Sequence, residues 1–193
     1  DGWQFMWIIL ALGFVAAGLC LERFLFIVIK SGKGRKAFMA DMASYLKADK
    51  IAEATSLAQK SETPLGKCLY AVLANRDKGE KGMTAAMDEV FLTEAPRINR
   101  YLSLMITVAN TATLTGLLGT IFGLVKSFDA VANLPAAQRP QALADGIAVA
   151  MGTTFMGLVV AIPLMAANGY LTLQSERIVE ELEEKSLKVI NLL

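Results

Sequence analysis

The sequence predicts an all-α membrane protein with three transmembrane helices, the second and third extended into a cytoplasmic helix bundle. Three observations carry this. Of 193 residues, 54% are apolar and 19% charged, against roughly 45–50% and about 25% in an ordinary soluble domain. Residues 2 to 21, 101 to 125 and 146 to 175 contain no Asp, Glu, Lys or Arg, and each run exceeds the roughly 18 residues that mark a membrane span. In the tail, Ile178, Leu182, Val189 and Leu193 recur at spacings that keep one helix face apolar, opposite Glu180, Glu181, Glu183 and Glu184, the pattern of a helix packed in a bundle.

The first span, residues 1–29, is expected as a helix from about Trp3 to Ile29, with Glu22 and Arg23 near one membrane face as a structural or snorkelling pair. Residue 1 is Asp, so the chain is read as processed or as lacking its true start. No small-residue cleavage pattern follows Cys20, and the run reads as a retained span rather than a signal peptide.

Residues 30–97 carry 12 Lys/Arg and nine Asp/Glu, opening with the basic cluster Lys30, Lys33, Arg35 and Lys36. The positive-inside rule makes this segment cytoplasmic. It reads as short helices, with Asp49 capping Ile51 to Ala58, and Thr63 capping a helix that has Pro64 in its first turn. Its apolar content is too modest for an independent enzyme domain, so it is expected to pack against cytoplasmic extensions of the membrane helices.

The second span, residues 98–128, belongs to one long helix from about Thr84, interrupted only at Pro96. Residues 129–140 hold two prolines and Arg139 as the single basic residue, as expected of a periplasmic loop. The third span, residues 141–175, starts after Pro140 and continues into the cytoplasmic tail 176–193. The N-terminus is then outside and the C-terminus inside.

Several chemistries are excluded. There is no histidine, which removes His triads, His zinc sites and His proton relays. Cys20 and Cys68 lack a partner pattern and read as packing thiols. The net charge of +1 gives no sign of a nucleic-acid partner. Gly32 and Gly34 have no preceding strand and read as a headgroup-contacting loop rather than a phosphate loop. Without a nucleophile–base pair or a ligand cluster the chain is not expected to be an enzyme, and no catalytic residue, cofactor or metal site is predicted. No internal repeat or pair of broken helices suggests a solute transporter.

At 100° per residue, Gly146, Ala150, Thr153, Thr154, Gly157, Ala161, Asn168, Thr172 and Ser175 share one arc of the third helix, opposite Met151, Phe155, Val159, Ile162 and Leu173. Pro163 shifts the phase beyond it. On the second helix Thr113, Thr120 and Ser127 recur every seven residues beside Gly116, Gly119 and Gly123, with Thr107, Thr111 and Thr115 further round. Two readings stay open: helix packing through small residues and back-bonded threonines, or a weakly polar pore surface, since hydroxyls in lipid need partners. At membrane depth, over 101 to 125 and 146 to 175, neither span carries a carboxylate, Lys or His. If protons move here, a partner must supply the carrier.

The stretch Ala109-Asn110-Thr111-Ala112-Thr113-Leu114-Thr115-Gly116-Leu117-Leu118-Gly119-Thr120-Ile121-Phe122-Gly123 resembles the second-span signature of the MotA/TolQ/ExbB proton-channel family. The run from Gly146-Ile147-Ala148 through Thr154, Gly157-Leu158 and Ala161-Ile162-Pro163 resembles the third. Leu21-Glu22-Arg23 and Thr63-Pro64-Leu65-Gly66 extend the resemblance over essentially the whole chain. It implies a three-span subunit of the TolQ/ExbB type in the bacterial inner membrane. It further implies a homopentamer enclosing the single-span helices of a dimeric ExbD/TolR/MotB-like partner, whose aspartate carries protons. The function so implied is a channel or stator subunit of a proton-motive-force-driven motor, powering TonB/Tol-type transduction, protein transport or gliding-type motility. A passive membrane scaffold is the alternative.

Carried over by position, Thr120 and Thr154 match pore-facing threonines beside that aspartate, with Thr113 and Thr153 on the same proton-pathway surface. Gly116, Gly119, Gly123, Gly157 and Pro163 are the helix-packing positions. Two departures stand out. Thr113 replaces the family's usual proline, and Val149 replaces a glutamate of TolQ and ExbB.

Overall fold

The computed structural model describes residues 3–30 and 34–193. Gly32 and Lys33, where the sequence places the headgroup-contacting loop and part of the basic cluster, lie outside the described residues. Helix accounts for all the regular structure described: α1 (Trp3–Phe24) with a π-helical continuation Leu25–Lys30, α2 (Arg35–Lys47), α3 (Ile51–Lys60), α4 (Pro64–Ala74) with a 3-10 turn Arg76–Lys78, α5 (Gly79–Asn99), α6 (Leu102–Asn133) and α7 (Arg139–Ile190). Gln4–Ile29, Arg76–Asn133 and Arg139–Ile190 each contain a window long and apolar enough to cross a membrane. The protein is an all-α membrane protein with three spans.

The chain divides into two compact units, Asp1–Glu22 with Tyr101–Tyr170, and Arg23–Arg100 with Leu171–Leu193. In the second unit α2 to α5 pack in sequence order, and one core joins Met42, Ala54, Leu65, Cys68, Leu69, Val72 and Met87 to Leu182, Val189 and Ile190 of α7. The soluble segment therefore packs against an extension of the third membrane helix, because its own apolar residues are too few to close a core alone.

Local signals explain several boundaries. Thr63 caps α4, its hydroxyl accepting from Gly66 N–H at 3.1 Å with Pro64 at the first helical position, so an orphan donor is satisfied and no N–H is wasted. Asp49 does not cap α3 as the sequence suggested. The α3 N-cap is Lys50, without a side-chain bond. Asp49 instead takes the left-handed conformation (φ 53°) that closes α2, with Lys50 N–H donating to Tyr45 O and Asp49 N–H to Leu46 O, a Schellman closure.

The long helix expected from Thr84 is also two helices. Pro96 lies inside α5, and the break falls at Arg100 and Tyr101, where Tyr101 adopts φ 65°. The carbonyls that α5 leaves open there are taken by Arg23, which is 3% exposed and donates from Nη1 to Arg97 O at 3.1 Å and to Arg100 O at 3.2 Å. Its guanidinium also lies 4.9 Å from the Phe26 ring centroid. At the chain's end, Ile178, Leu182 and Val189 are buried as the periodicity predicts, but α7 stops at Ile190, which is buried in place of Leu193, and Leu193 is exposed.

Candidate functional site

Within the first unit α6 and α7 cross antiparallel, through the small-residue faces that the 100° periodicity identifies. A β-carbon on Gly116 would stand 3.0 Å from Thr153 O and 3.1 Å from Thr154 Cα. One on Gly119 would come within 2.6 Å of Thr153 Oγ1, and one on Gly123 within 2.9 Å of Ala150 Cβ. Gly146 has no room for a β-carbon against the Ser127 side chain. Gly157 approaches Ala112 O at 2.8 Å and Gly116 Cα at 3.3 Å by the same measure. Ala112, Ala150, Thr153, Gly157 and Ala161 are accordingly buried, while Met151, Phe155, Val159 and Ile162 face outward. Without a hydrophobic drive between helices in lipid, this close backbone approach is what holds them together.

Three hydroxyls meet where the backbones are closest. Thr153 is fully buried and donates to Ala150 O at 2.7 Å, with Gly116 O at 3.2 Å. Thr120 and Thr154 are half-buried and hydrogen-bond each other across the seam. Thr154 also reaches Gly116 O at 3.2 Å, and Thr120 reaches Gly116 O at 3.2 Å and Ala150 O at 3.1 Å. Gly116 O is thus within reach of all three, because a glycine at that position lets α7 settle onto the α6 backbone. No sequence signal marks that carbonyl. It follows from the geometry of the crossing.

The other named positions lie elsewhere. Thr113, two helical turns from Thr120, is half-buried and donates to Ala109 O at 3.1 Å in its own helix. Thr107, Thr111 and Thr115 form a back-bonded ladder to Ser103 O, Thr107 O and Thr111 O. Pro163 is exposed and lines an apolar groove of about 420 Å³ between α1 and α7, with Gly13, Ala16, Cys20 and Val160. Val149 is exposed. In the second unit, Glu94 is buried and Lys67 and Arg97 both pair with its Oε1, at 2.9 and 2.8 Å. Burial raises the pKa of the nearby Cys68 thiol, partly offset by the Ser186 hydroxyl and reinforced by Glu94 and Asp88.

Residues 60–184 match the family model described as the MotA/TolQ/ExbB proton channel family. Among curated proteins, the chain is 38% identical over 96 residues to a biopolymer transport protein exbB1 from Vibrio cholerae, covering 50% of this chain and 42% of that protein. A putative ExbB homolog from Methanothermobacter thermautotrophicus is 32% identical over 122 residues, 63% of this chain and 43% of the relative. A Tol-Pal system protein TolQ from Pseudomonas aeruginosa is 31% identical over 99 residues, 51% and 42%. The chain thus spans well under two thirds of each of these relatives. The family match covers α4, α5 and both helices of the seam, and on that match the chain belongs to the MotA/TolQ/ExbB proton channel family.

Proposed function

We propose that the chain is a channel or stator subunit of a motor driven by the proton-motive force. In this reading several copies, a pentamer, form a ring in the bacterial inner membrane around the single-span helices of a dimeric, ExbD/TolR-like partner. The N-terminus is periplasmic and the C-terminus cytoplasmic. The partner's membrane aspartate carries the proton, and Thr120 and Thr154 receive it at the ring's inner surface. Thr153 fixes the two from beneath, and Thr113 extends the polar surface two turns along α6.

The observation that carries this is the half-buried Thr120–Thr154 pair, set in two spans with no Asp, Glu, Lys, Arg or His from 101 to 125 or 146 to 175. A polar locus that lacks its own carrier fits a ring that works on a carrier brought from outside. Relatives named for biopolymer transport and for the Tol-Pal system are in keeping with energy transduction across the envelope. The passive-scaffold alternative draws on the same pair, since each hydroxyl already has a partner within the chain.

Reconstitution decides between them. The purified subunit alone in liposomes is expected to pass few protons, flux should rise when the single-span partner is added, and replacing the partner's aspartate with asparagine should abolish it. Robust flux from the lone subunit would contradict a carrier supplied by the partner. Binding of the partner with no flux at all would favour the scaffold.

A further inference from the structure

The second unit holds a charged cluster that the proton reading does not use. A groove of about 590 Å³ opens between α3, α4 and α5, with Lys67, Tyr70, Glu94 and Arg97 among its walls. Only 5% of the Glu94 side chain is exposed, and its Oε1 accepts from both Lys67 Nζ at 2.9 Å and Arg97 Nη1 at 2.8 Å. The two cations are 44% and 63% exposed. Their charged nitrogens thus lie no further apart than those two bonds laid end to end, with the carboxylate buried behind them.

One carboxylate faces two cations, so a positive charge is left over at the groove. Donors are left over as well. An ammonium has three N–H groups and a guanidinium five, and each gives one to Glu94. Tyr70, one turn beyond Lys67 on α4, adds an exposed phenol. Glu89 is the other carboxylate on the groove, and it lies about 7 Å further back along α5 from Glu94. Two cations held close by a buried anchor, with free N–H groups turned to solvent, suit an anion that can offer each of them an oxygen. A phosphate group does so.

Position along the chain says where that phosphate comes from. The charge-free run of the second span starts at Tyr101. Arg97 is four residues short of it and Glu94 seven, about 6 and 10 Å at helical rise. Lipid headgroups fill about 5–8 Å on each side of the hydrocarbon. Arg97 therefore stands at headgroup depth, and Lys67 reaches the edge of that layer on its long stem. Arg23, which bonds the Arg97 carbonyl, follows the first charge-free run by two residues and marks the same level.

We propose that Lys67 and Arg97, anchored by buried Glu94, form a phosphate-binding site that takes the headgroup of an anionic phospholipid. A bound headgroup ties α4 and α5 to the membrane surface. The site is independent of proton coupling, and free inorganic phosphate is the other source of the same chemistry.

The test uses the full chain in dodecyl maltoside micelles, with phosphatidylglycerol mixed into the micelle in one arm and millimolar inorganic phosphate in the other. Acylation of lysine amines by an uncharged N-hydroxysuccinimide ester is followed peptide by peptide by mass spectrometry. Phosphatidylglycerol should slow acylation of Lys67 about fivefold and leave Lys81, at the far end of α5, unchanged. Arg97→Gln keeps the Lys67–Glu94 pair and the backbone carbonyl that Arg23 uses. It should raise the lipid fraction needed for half protection about fivefold, and Arg97→Lys should restore part of the loss. Protection by inorganic phosphate with no effect of the lipid would overturn the headgroup as the source. Equal Lys67 rates in every arm, or protection that Arg97→Gln leaves untouched, would overturn the site itself.

Discussion

Gly157 lies so close to Gly116 that a β-carbon on it would stand 3.3 Å from the Gly116 α-carbon and 2.8 Å from the Ala112 carbonyl oxygen. Backbone cannot yield as a flexible side chain does, so the helices would have to move apart. Gly157→Ala is expected to destabilise the protein by about 1–3 kcal/mol, read as a lower unfolding midpoint in detergent. Gly152→Ala, five residues away with no heavy atom within 4 Å, should be neutral or slightly stabilising through helix propensity. Equal effects from the two would contradict a tight seam.

Arg23 bonds the carbonyls of Arg97 and Arg100 at the broken end of α5. A buried guanidinium on carbonyls is a charge-assisted contact, and Arg23→Gln should cost about 1.5–3 kcal/mol. Amides at the start of α6 should also exchange faster in deuterated buffer, because the helix break loses its anchor. Arg23→Lys should recover part of both effects, since one ammonium can reach a single carbonyl but not stack on Phe26 as the planar group does. Wild-type stability in the glutamine variant would count against this role.

Burial raises the Cys68 thiol pKa, and Glu94 and Asp88 add to the effect. In a Cys20→Ser background, maleimide at pH 8 should label Cys68 at least about tenfold more slowly than after denaturation, since thiolate is the reactive form and the site is closed. The sign for stability follows from the raised value. Cys68 favours the fold below the ordinary thiol range, and that contribution is lost as pH rises through the folded-state value. Rapid labelling of the native protein would show that the core around Met87 opens readily.

Much of this architecture is legible in the chain because lipid imposes strong rules. The three charge-free runs gave the spans, and the arc of Ala150, Thr153, Gly157 and Ala161 gave the buried face of α7. Thr63 followed by Pro64 gave a helix start that the structure bears out. What sequence could not reveal depends on distant contacts. The break at Tyr101 has no glycine or proline to announce it, and Arg23 meets the open carbonyls from more than 70 residues away. Asp49 has the side chain of a cap but sits where a left-handed residue must close α2. Periodicity placed Thr153 beside Thr154 on one arc, yet only the depth of the crossing separates the fully buried hydroxyl from the half-buried one.

The proposed orientation of the chain rests on the contrast between 12 basic residues in 30–97 and one in 129–140. In intact cells a membrane-impermeant thiol reagent should reach Ala136→Cys, in the loop after α6, from outside. It should reach Lys78→Cys, in the 3-10 turn after α4, only once the membrane is permeabilised. The reverse pattern would invert the proposed topology.

Proton flux through the reconstituted complex with its partner tests most directly whether the Thr120–Thr154 pair serves the moving proton. Thr120→Val and Thr154→Val preserve shape and remove one hydroxyl, so each should cut flux about two- to tenfold, the worth of one hydrogen bond, with assembly intact. Thr107→Val, which removes a hydroxyl bonded to Ser103 O on another side of the same helix, should leave flux near the wild-type level. Wild-type flux in both seam variants would contradict the account and leave Thr120 and Thr154 as packing residues.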